Sequence, residues 1–166
     1  MSRLFSGKIF VLTLFFLLLE VVFLPYLNFG GYAPSPLLIL VVFYAFYINW
    51  EKVPQYAILV GFLKEIFSSS MFGLQIVSFC LGALILRFLL RKVERENIAM
   101  QLAATFFFSL CVLSIFNLGL LKGNLFLCDW LKIFVVSIFN TVLSFFVFIW
   151  FGHKIRVRDQ QYELFG

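Results

Sequence analysis

The sequence predicts an all-α integral membrane protein, folded as one domain in which a bundle of six transmembrane helices is joined by short loops. Of its 166 residues, 63% are hydrophobic and 13% are charged, whereas an ordinary soluble domain has about 25% charged residues. Long apolar runs recur along the chain, and most charges lie in short groups between them. Because one bilayer crossing takes about 20 residues, the chain accommodates at most six or seven short-looped spans, and we expect no separate soluble domain.

The first three runs differ in length. Residues 9–27 form the first predicted span. Arg3 and Lys8 precede it, as in a secretory signal sequence, but the run is too long for one and no small-residue cleavage site follows, so we interpret it as an uncleaved helix. The next two runs, 35–50 and 54–68, are separated by a polar turn. Each is short for a full crossing, and whether they cross completely is left open.

The distribution of basic residues supports six spans. The remaining three spans are predicted at residues 72–90, 98–121 and 131–151. Basic residues concentrate on the cytoplasmic side of membrane proteins. With six spans and a cytoplasmic N-terminus, the only basic residues on the outer side of the membrane are Lys64, Lys122 and Lys132. Omitting either short run would place the Arg87 to Arg95 group and the C-terminal basic group on opposite sides. We therefore predict six spans with both termini in the cytoplasm.

Several function classes are disfavoured by the residue pattern. The net charge of +5 comes from basic residues beside apolar runs, which indicates membrane topology rather than a nucleic acid-binding patch. Cys80, Cys111 and Cys128 lack Cys-x-x-Cys spacing, so neither a disulfide framework nor a metal site is expected. The serines at 68–70 have no nearby histidine base. We expect a protein that is not an enzyme and binds no metal or cofactor.

Polar side chains recur at helical spacing inside three of the predicted spans. They are Gln75 and Ser78 on the fourth, where Gly82 shares their face, Gln101, Thr105, Ser109 and Asn117 on the fifth, and Ser137, Asn140, Thr141 and Ser144 on the last. Polar groups retained in lipid usually face another helix, a cavity or a partner protein. Contact between helices is the favoured interpretation, and a ligand pathway is the alternative.

The first and third predicted spans contain ionisable residues. Glu20, Lys64 and Glu65 all fall in the outer half of the membrane in the six-span arrangement. Lys64 and Glu65 are adjacent and point about 100° apart on a helix, so we predict that Lys64 pairs with Glu20 instead. Gly61 and Glu65 share a face, which would let another backbone approach beside the carboxylate. Proton coupling is disfavoured, because the one histidine, His153, lies at the cytoplasmic edge.

The segment from the third to the fourth span has a glycine, Gly61, an acidic residue four positions later, Glu65, and a Gly-Leu pair, Gly73 and Leu74, that opens the next helix. These residues, in this order, resemble the most recognisable part of the rod shape-determining protein MreD family. The acidic residue is more often Asp in the family, so Glu65 departs from the pattern. The resemblance extends to the length, the proline-led second run and the six short-looped spans.

This resemblance implies a non-catalytic subunit of the bacterial cell-elongation (rod-shape) machinery in the inner (cytoplasmic) membrane. Such a subunit binds the single-span protein MreC and works with MreB filaments and a peptidoglycan synthase pair, directly or indirectly. Contacts with membrane lipid are expected, and contacts with nucleic acid are not. We predict that the polar helix faces and the Lys64–Glu65 region receive a partner's transmembrane helix. The candidate partner-interaction residues are Glu20, Gly61, Lys64, Glu65, Gly73, Asn140 and Ser144.

The alternative function belongs to another class, the substrate-binding S component of an energy-coupling-factor vitamin transporter. These proteins also have six short-looped spans at a similar size. An S component needs an Ala-x-x-x-Ala surface for its coupling subunit, and the segment from Phe10 to Glu20 contains no alanine. The MreD-like function is therefore preferred.

Overall fold

Helices make up nearly all of the part of the chain that the structure describes. A computed structural model describes residues 2–22, 26, 33–47, 51–67, 72–90, 97–121 and 129–165. These residues form α1 (Ser2–Val22), α2 (Pro36–Tyr47), α3 (Val53–Ile66), α4 (Leu74–Leu90), α5 (Ile98–Leu120) and α6 (Trp130–Phe165). No β-strand occurs among the described residues. The predicted all-α class is confirmed.

The helices follow the predicted apolar runs. α5 coincides with the run at 98–121 to within one residue, and α4 begins two residues inside the run at 72–90. α2 and α3 correspond to the short runs 35–50 and 54–68. α1 begins ahead of the predicted span at 9–27, because helix formation does not require the apolar residues that set the span. Hydropathy thus located each helix. Some of the helices extend beyond the apolar run into the polar residues that flank it.

The last helix is much longer than the predicted span at 131–151. α6 begins at Trp130 and continues for 36 residues to Phe165. No proline interrupts this tail, and proline is the residue that most strongly breaks a helix. The polar C-terminal segment therefore extends the helix beyond the apolar run.

Two helices have the length and composition needed to cross a membrane. They are Ile98–Leu120 and Trp130–Trp150. The apolar helices Ile9–Val22, Pro36–Tyr47 and Leu74–Leu90 are shorter, with 10 to 17 residues each. Among the described residues, two of the six predicted spans therefore reach full membrane length as single helices.

The shortest helix forms the centre of the bundle. α2 has 12 residues, of which ten are buried, and it contacts all five other helices. A helix that is buried on every side is expected to be apolar all round, and the sequence of α2 contains no polar groups except two tyrosine hydroxyls. Stacking of Phe43 on Phe148 joins α2 to α6, with 6.2 Å between the ring centroids. The other helices pack around this apolar rod.

The outward faces of the surrounding helices are also apolar. Val11 and Leu18 on α1, Leu84 and Phe88 on α4, and Phe146 on α6 are all exposed. Soluble monomers rarely expose apolar patches larger than a few hundred Å². Apolar residues both in the core and on the outer surface are typical of a protein surrounded by lipid.

Candidate functional site

The predicted Glu20–Lys64 pair is confirmed. Glu20 lies in the last turn of α1 and Lys64 in the last turn of α3. The Lys64 Nζ atom is 2.7 Å from Glu20 Oε1 and lies 5.6 Å from the centre of the Phe79 ring. Each charge therefore has its counter-ion on a neighbouring helix, which offsets the cost of removing both from water.

Ser35 connects this ion pair to the start of α2. Its hydroxyl group donates to both carboxylate oxygens of Glu20 at 3.0 Å and accepts from Lys64 Nζ at 2.9 Å. The backbone N–H of Leu37 donates to Glu20 Oε2 at 3.2 Å. Glu20 thus accepts hydrogen bonds from α2 and α3 and caps the N-terminus of α2, where the helix dipole favours an anion.

Asn140 extends the network to the two longest helices. The backbone N–H of Ser35 donates to Asn140 Oδ1 at 2.8 Å, and Asn140 Nδ2 donates to Ser109 Oγ at 2.8 Å. We call Glu20, Ser35, Lys64, Ser109 and Asn140 the polar layer. It joins α3 and α1 to α5 and α6 through the residue that precedes α2.

The polar layer lies halfway along the two membrane-length helices. Ser109 has 11 residues of Ile98–Leu120 on each side, and Asn140 has ten residues of Trp130–Trp150 on each side. At about 1.5 Å per residue, both positions are about 15 Å from either end. α2 therefore begins near the midpoints of α5 and α6.

Access to the polar layer differs among its members. Ser35, Ser109 and Asn140 are at most 1% exposed. The side chains of Lys64 and Glu20 are 22% and 13% exposed. The ion pair is therefore the accessible edge of an otherwise enclosed network.

Glu65 has a separate role at the start of α4. It is only 4% exposed, and its Oε2 atom accepts a hydrogen bond from the backbone N–H of Gln75 at 2.8 Å. Its Oε1 atom is buried and makes no hydrogen bond. Gly73, with φ +91°, provides the left-handed turn that leads into α4. Like Glu20, Glu65 lies at the end of one helix and caps the N-terminus of the next.

Gly61 allows α3 and α4 to approach closely. A Cβ atom at this position would lie 2.9 Å from the Cα atom of Ile76 and 3.2 Å from the carbonyl oxygen of Gln75. The expected close approach of a second backbone beside Glu65 is confirmed, and that backbone belongs to the same chain. Three residues of the family-like motif, Gly61, Glu65 and Gly73, therefore shape the α3–α4 hairpin, and the fourth, Leu74, begins α4.

The polar faces predicted on the last three spans point into the bundle. Gln101, Thr105, Ser109, Ser137, Asn140 and Ser144 are all fully buried. The hydroxyl of Ser144 donates to the Thr141 carbonyl oxygen of its own helix at 2.7 Å. The favoured interpretation, contact between helices, is confirmed. A partner's helix would reach Asn140 or Ser144 only if the bundle opened.

The role of Ser35 and two hydrogen bonds of tyrosine hydroxyls were not predicted from the sequence. Ser35 precedes Pro36, and serine followed by proline is a helix-start signal that identifies this position. Thr13 Oγ1 and the Tyr56 hydroxyl lie 2.7 Å apart and join α1 to α3. The Tyr47 hydroxyl donates to Gln101 Oε1 at 3.0 Å. Tyrosine hydroxyls carry no spacing signal for their partners, so these pairs require the structure.

Some sequence features lie outside the described residues, namely Cys128 and the serines at 68–70. Cys80 and Cys111 are free thiols. In the described part of the chain, no three His, Cys, Asp or Glu side chains are grouped closely enough to hold a metal ion. Asp129 and Lys132 form an exposed ion pair of 2.6 Å at the start of α6.

Comparisons with known proteins assign no family to the chain. No protein family, curated protein or solved structure matches it. The candidate site is therefore defined by the chain's own residues, which are the polar layer and the α3–α4 hairpin.

Proposed function

We propose that this chain is a non-catalytic, six-span subunit of the bacterial inner membrane, with both termini in the cytoplasm. In this proposal it scaffolds the cell-elongation machinery by binding MreC, and MreB filaments and a peptidoglycan synthase pair act with it. The proposal rests on the MreD-like motif. Gly61, Glu65 and Gly73 each have a distinct part in shaping the α3–α4 hairpin, in which Leu74 begins the second helix.

The distribution of apolar and polar residues supports a membrane location. α5 and α6 have the length and hydropathy of membrane spans, and the exposed side chains of the outer helices are predominantly apolar. The charged Glu20 and Lys64 side chains bond to each other inside the bundle. This arrangement suits lipid, in which an unpaired charge is costly.

The hydrogen-bond partners of the polar residues support a scaffold rather than an enzyme. Ser35, Ser109 and Asn140 bond to one another or to Glu20 across helices. Such bonds hold transmembrane helices in one arrangement. In this proposal the chemistry of wall synthesis belongs to the partner proteins, and this chain positions them.

The accessible part of the site suggests where a partner binds. Of the candidate residues, Lys64, Glu20 and Gly73 are partly exposed, whereas Glu65, Asn140 and Ser144 are buried. We therefore place the MreC contact at the outer edge of the α3–α4 hairpin. Glu65 acts there indirectly, because it fixes the start of α4.

The test is purification of the tagged chain from native membranes, followed by mass spectrometry of the proteins that co-purify. Recovery of MreC with a peptidoglycan synthase supports the proposal. Recovery of an ATPase pair with a coupling membrane subunit, or of a bound vitamin, would overturn it in favour of the transporter. A tagged, unrelated polytopic membrane protein provides the background.

A matched pair of variants tests the assigned contact region. Glu65→Ala removes the α4 cap and should reduce the recovery of MreC while membrane insertion is retained. Asp129→Ala removes a carboxylate from an exposed ion pair on α6 and should leave the recovery unchanged. Equal recovery with both variants would remove Glu65 from the contact region.

A further inference from the structure

α6 continues as one helix well beyond its apolar part. The apolar part ends at Trp150, and the helix continues to Phe165. We call residues 151–165 the α6 extension. At about 1.5 Å per residue the extension is about 22 Å long, whereas the headgroup region on one side of a bilayer is about 5 to 8 Å thick. Most of the extension therefore stands in water, and in the proposed six-span topology that water is the cytoplasm.

The extension continues the bundle-facing side of α6 as an apolar stripe. With successive residues about 100° apart, the buried residues of the membrane part share an arc of about 120°. They are Ile133, Val136, Ser137, Asn140, Ser144 and Phe148. The same spacing places four apolar residues of the extension on this arc, namely Phe151, Ile155, Tyr162 and Phe165. The other apolar residues, Val157 and Leu164, fall outside it. The stripe therefore keeps the register of the buried face.

The two helices against which α6 packs, α5 and α2, end where the extension begins. Asn140 on α6 bonds to Ser109 on α5, and α5 begins at Ile98, 11 residues before Ser109. Because consecutive spans run in opposite directions in the proposed topology, Ile98 lies level with the first residue of the extension. α2 ends at Tyr47, whose ring centroid is 6.2 Å from that of Phe148. Neither helix therefore follows the stripe along the extension.

The charged residues on the stripe are positive. The arc includes Lys154 and Arg158, whereas Asp159 and Glu163 fall to one side of it. A second copy of the chain would bring Arg158 against its own counterpart across a two-fold interface, which like charges disfavour. A membrane surface cannot cover the stripe while the helix stands away from it. The stripe is instead complementary to a helix that has apolar residues at the same spacing and carboxylates beside them.

We infer that the α6 extension is a docking face for an acidic amphipathic helix of a cytoplasmic partner. Ile155 and Tyr162 supply apolar contacts, and Arg158 pairs with a carboxylate of the partner. The inference rests on the proposed topology, which places the extension in the cytoplasm. It adds a cytoplasmic contact to the outer contact proposed for MreC. The partner binds the same helix whose midpoint, Asn140, belongs to the polar layer.

The docking face is tested by placing the photoreactive amino acid p-benzoylphenylalanine at Ile155 of the full chain in native cells. The matched control is Val157, which lies on nearly the opposite side of the same extension. We expect Ile155 to crosslink at least about tenfold more than Val157, since buried contacts at an interface dominate its energy. Mass spectrometry should show that the crosslinked protein segment is acidic and amphipathic. Equal yields, a crosslink between two copies of the chain, or a crosslink to lipid alone would overturn the inference.

Two charge reversals test the pairing at Arg158. Arg158→Glu should lower the crosslinking yield at Ile155 by about tenfold or more, because it opposes the partner's carboxylate with a like charge. Arg156→Glu makes the same change in net charge outside the stripe and should alter the yield by at most about twofold. An effect on topology or insertion would appear in both variants. Equal losses would overturn the assigned pairing.

Cysteine labelling separates these outcomes from a failure of the topology. In a background in which Cys80, Cys111 and Cys128 are replaced by alanine, Ile155→Cys is treated with a membrane-impermeant trimethylammonium methanethiosulfonate. It should react in spheroplasts only after the membrane is permeabilised. Reaction from outside would overturn the proposed topology and the cytoplasmic partner with it. A cytoplasmic location without a crosslink at Ile155 would overturn the docking face alone and leave the proposed MreC contact unaffected.

Discussion

At the scale of single residues, Glu20 and Lys64 are the most consequential side chains, because each is the other's counter-ion inside the bundle. Removing one partner leaves the other charge without compensation, which costs more than losing both. We expect Glu20→Gln and Lys64→Met each to lower the free energy of unfolding by about 2 to 4 kcal/mol. The double variant should lose clearly less free energy of unfolding than the two single variants lose in sum. Denaturant unfolding of the purified chain in bicelles measures this cycle.

Glutamine at position 20 removes the negative charge but keeps an oxygen that can cap α2. Its amide oxygen can still accept a hydrogen bond from the Leu37 N–H, which Glu20 now receives. The exposed Asp129–Lys132 pair provides the control, since Asp129→Asn should have little effect on stability. If the losses of unfolding free energy at Glu20 and Lys64 were additive, the ion pair would contribute no coupling energy.

The second residue-scale prediction concerns Glu65. Its Oε2 atom caps α4 through the Gln75 N–H, and loss of a helix cap costs about 0.5 to 2 kcal/mol. We therefore expect Glu65→Ala to lower the free energy of unfolding by about 1 to 2 kcal/mol. Glu65→Gln keeps an acceptor oxygen and should lose less. Equal losses for the two variants, measured in the same unfolding assay, would show that the cap is not what Glu65 contributes.

The sequence predicted the charged part of the site better than its neutral part. A charge in lipid requires a partner, and the chain offers few, so Glu20 and Lys64 could be paired without a structure. Ser35, Ser109 and Asn140 each have several potential partners, and spacing along a single helix gives only the face on which they lie. Their mutual contacts depend on how five helices are arranged around α2.

At the scale of helices, α3 and α4 depend on the glycine at their closest approach. A methyl group at Gly61 would meet the backbone of Ile76, which cannot rotate away as a side chain can. We expect Gly61→Ala to separate the two helices and to lower the free energy of unfolding by about 1 to 3 kcal/mol, as other overpacking changes do. Gly7→Ala is the matched control, because nothing lies within 4 Å of an added Cβ there.

These two glycine variants are compared in one thermal unfolding assay. The Gly7 variant should be unchanged or slightly more stable, since alanine favours helix more than glycine does. The Gly61 variant should unfold at a lower temperature. If the two behaved alike, close backbone contact would not limit the packing of the hairpin.

The helices were more predictable than their arrangement. Hydropathy gives α4 and α5 nearly to the residue, because charged or polar residues bound each apolar run. It does not reveal that α2 is central, since an apolar helix in lipid and one enclosed by protein have the same composition. The extension of α6 was not predicted, because its C-terminal part is polar and hydropathy detects only apolar helices.

At the scale of the whole molecule, the apolar outer surface determines whether the fold is suited to lipid or to water. Leu84 lies near the middle of α4 and is 47% exposed. A lysine at the centre of a membrane helix costs about 2.5 to 3.5 kcal/mol for insertion. We expect Leu84→Lys to reduce the fraction of the chain retained in alkaline-washed membranes.

The control for this variant is Glu51→Lys, which introduces the same side chain in the exposed α2–α3 turn. It should leave membrane retention unchanged. In a water-soluble bundle both lysines would be harmless, because both sites are on the surface. Full retention of Leu84→Lys would therefore contradict a lipid-facing surface on α4.

The central position of α2 also sets the order in which the fold can be completed during synthesis. Its capping carboxylate comes from α1, which leaves the ribosome first, and the acceptor for the Ser35 N–H comes from Asn140 on α6, which leaves last. Until α6 is made, the entrance to α2 has an unsatisfied amide in an apolar environment, which is costly. The helices of the nascent chain can therefore form one by one, but the entrance to α2 is closed only when α6 arrives.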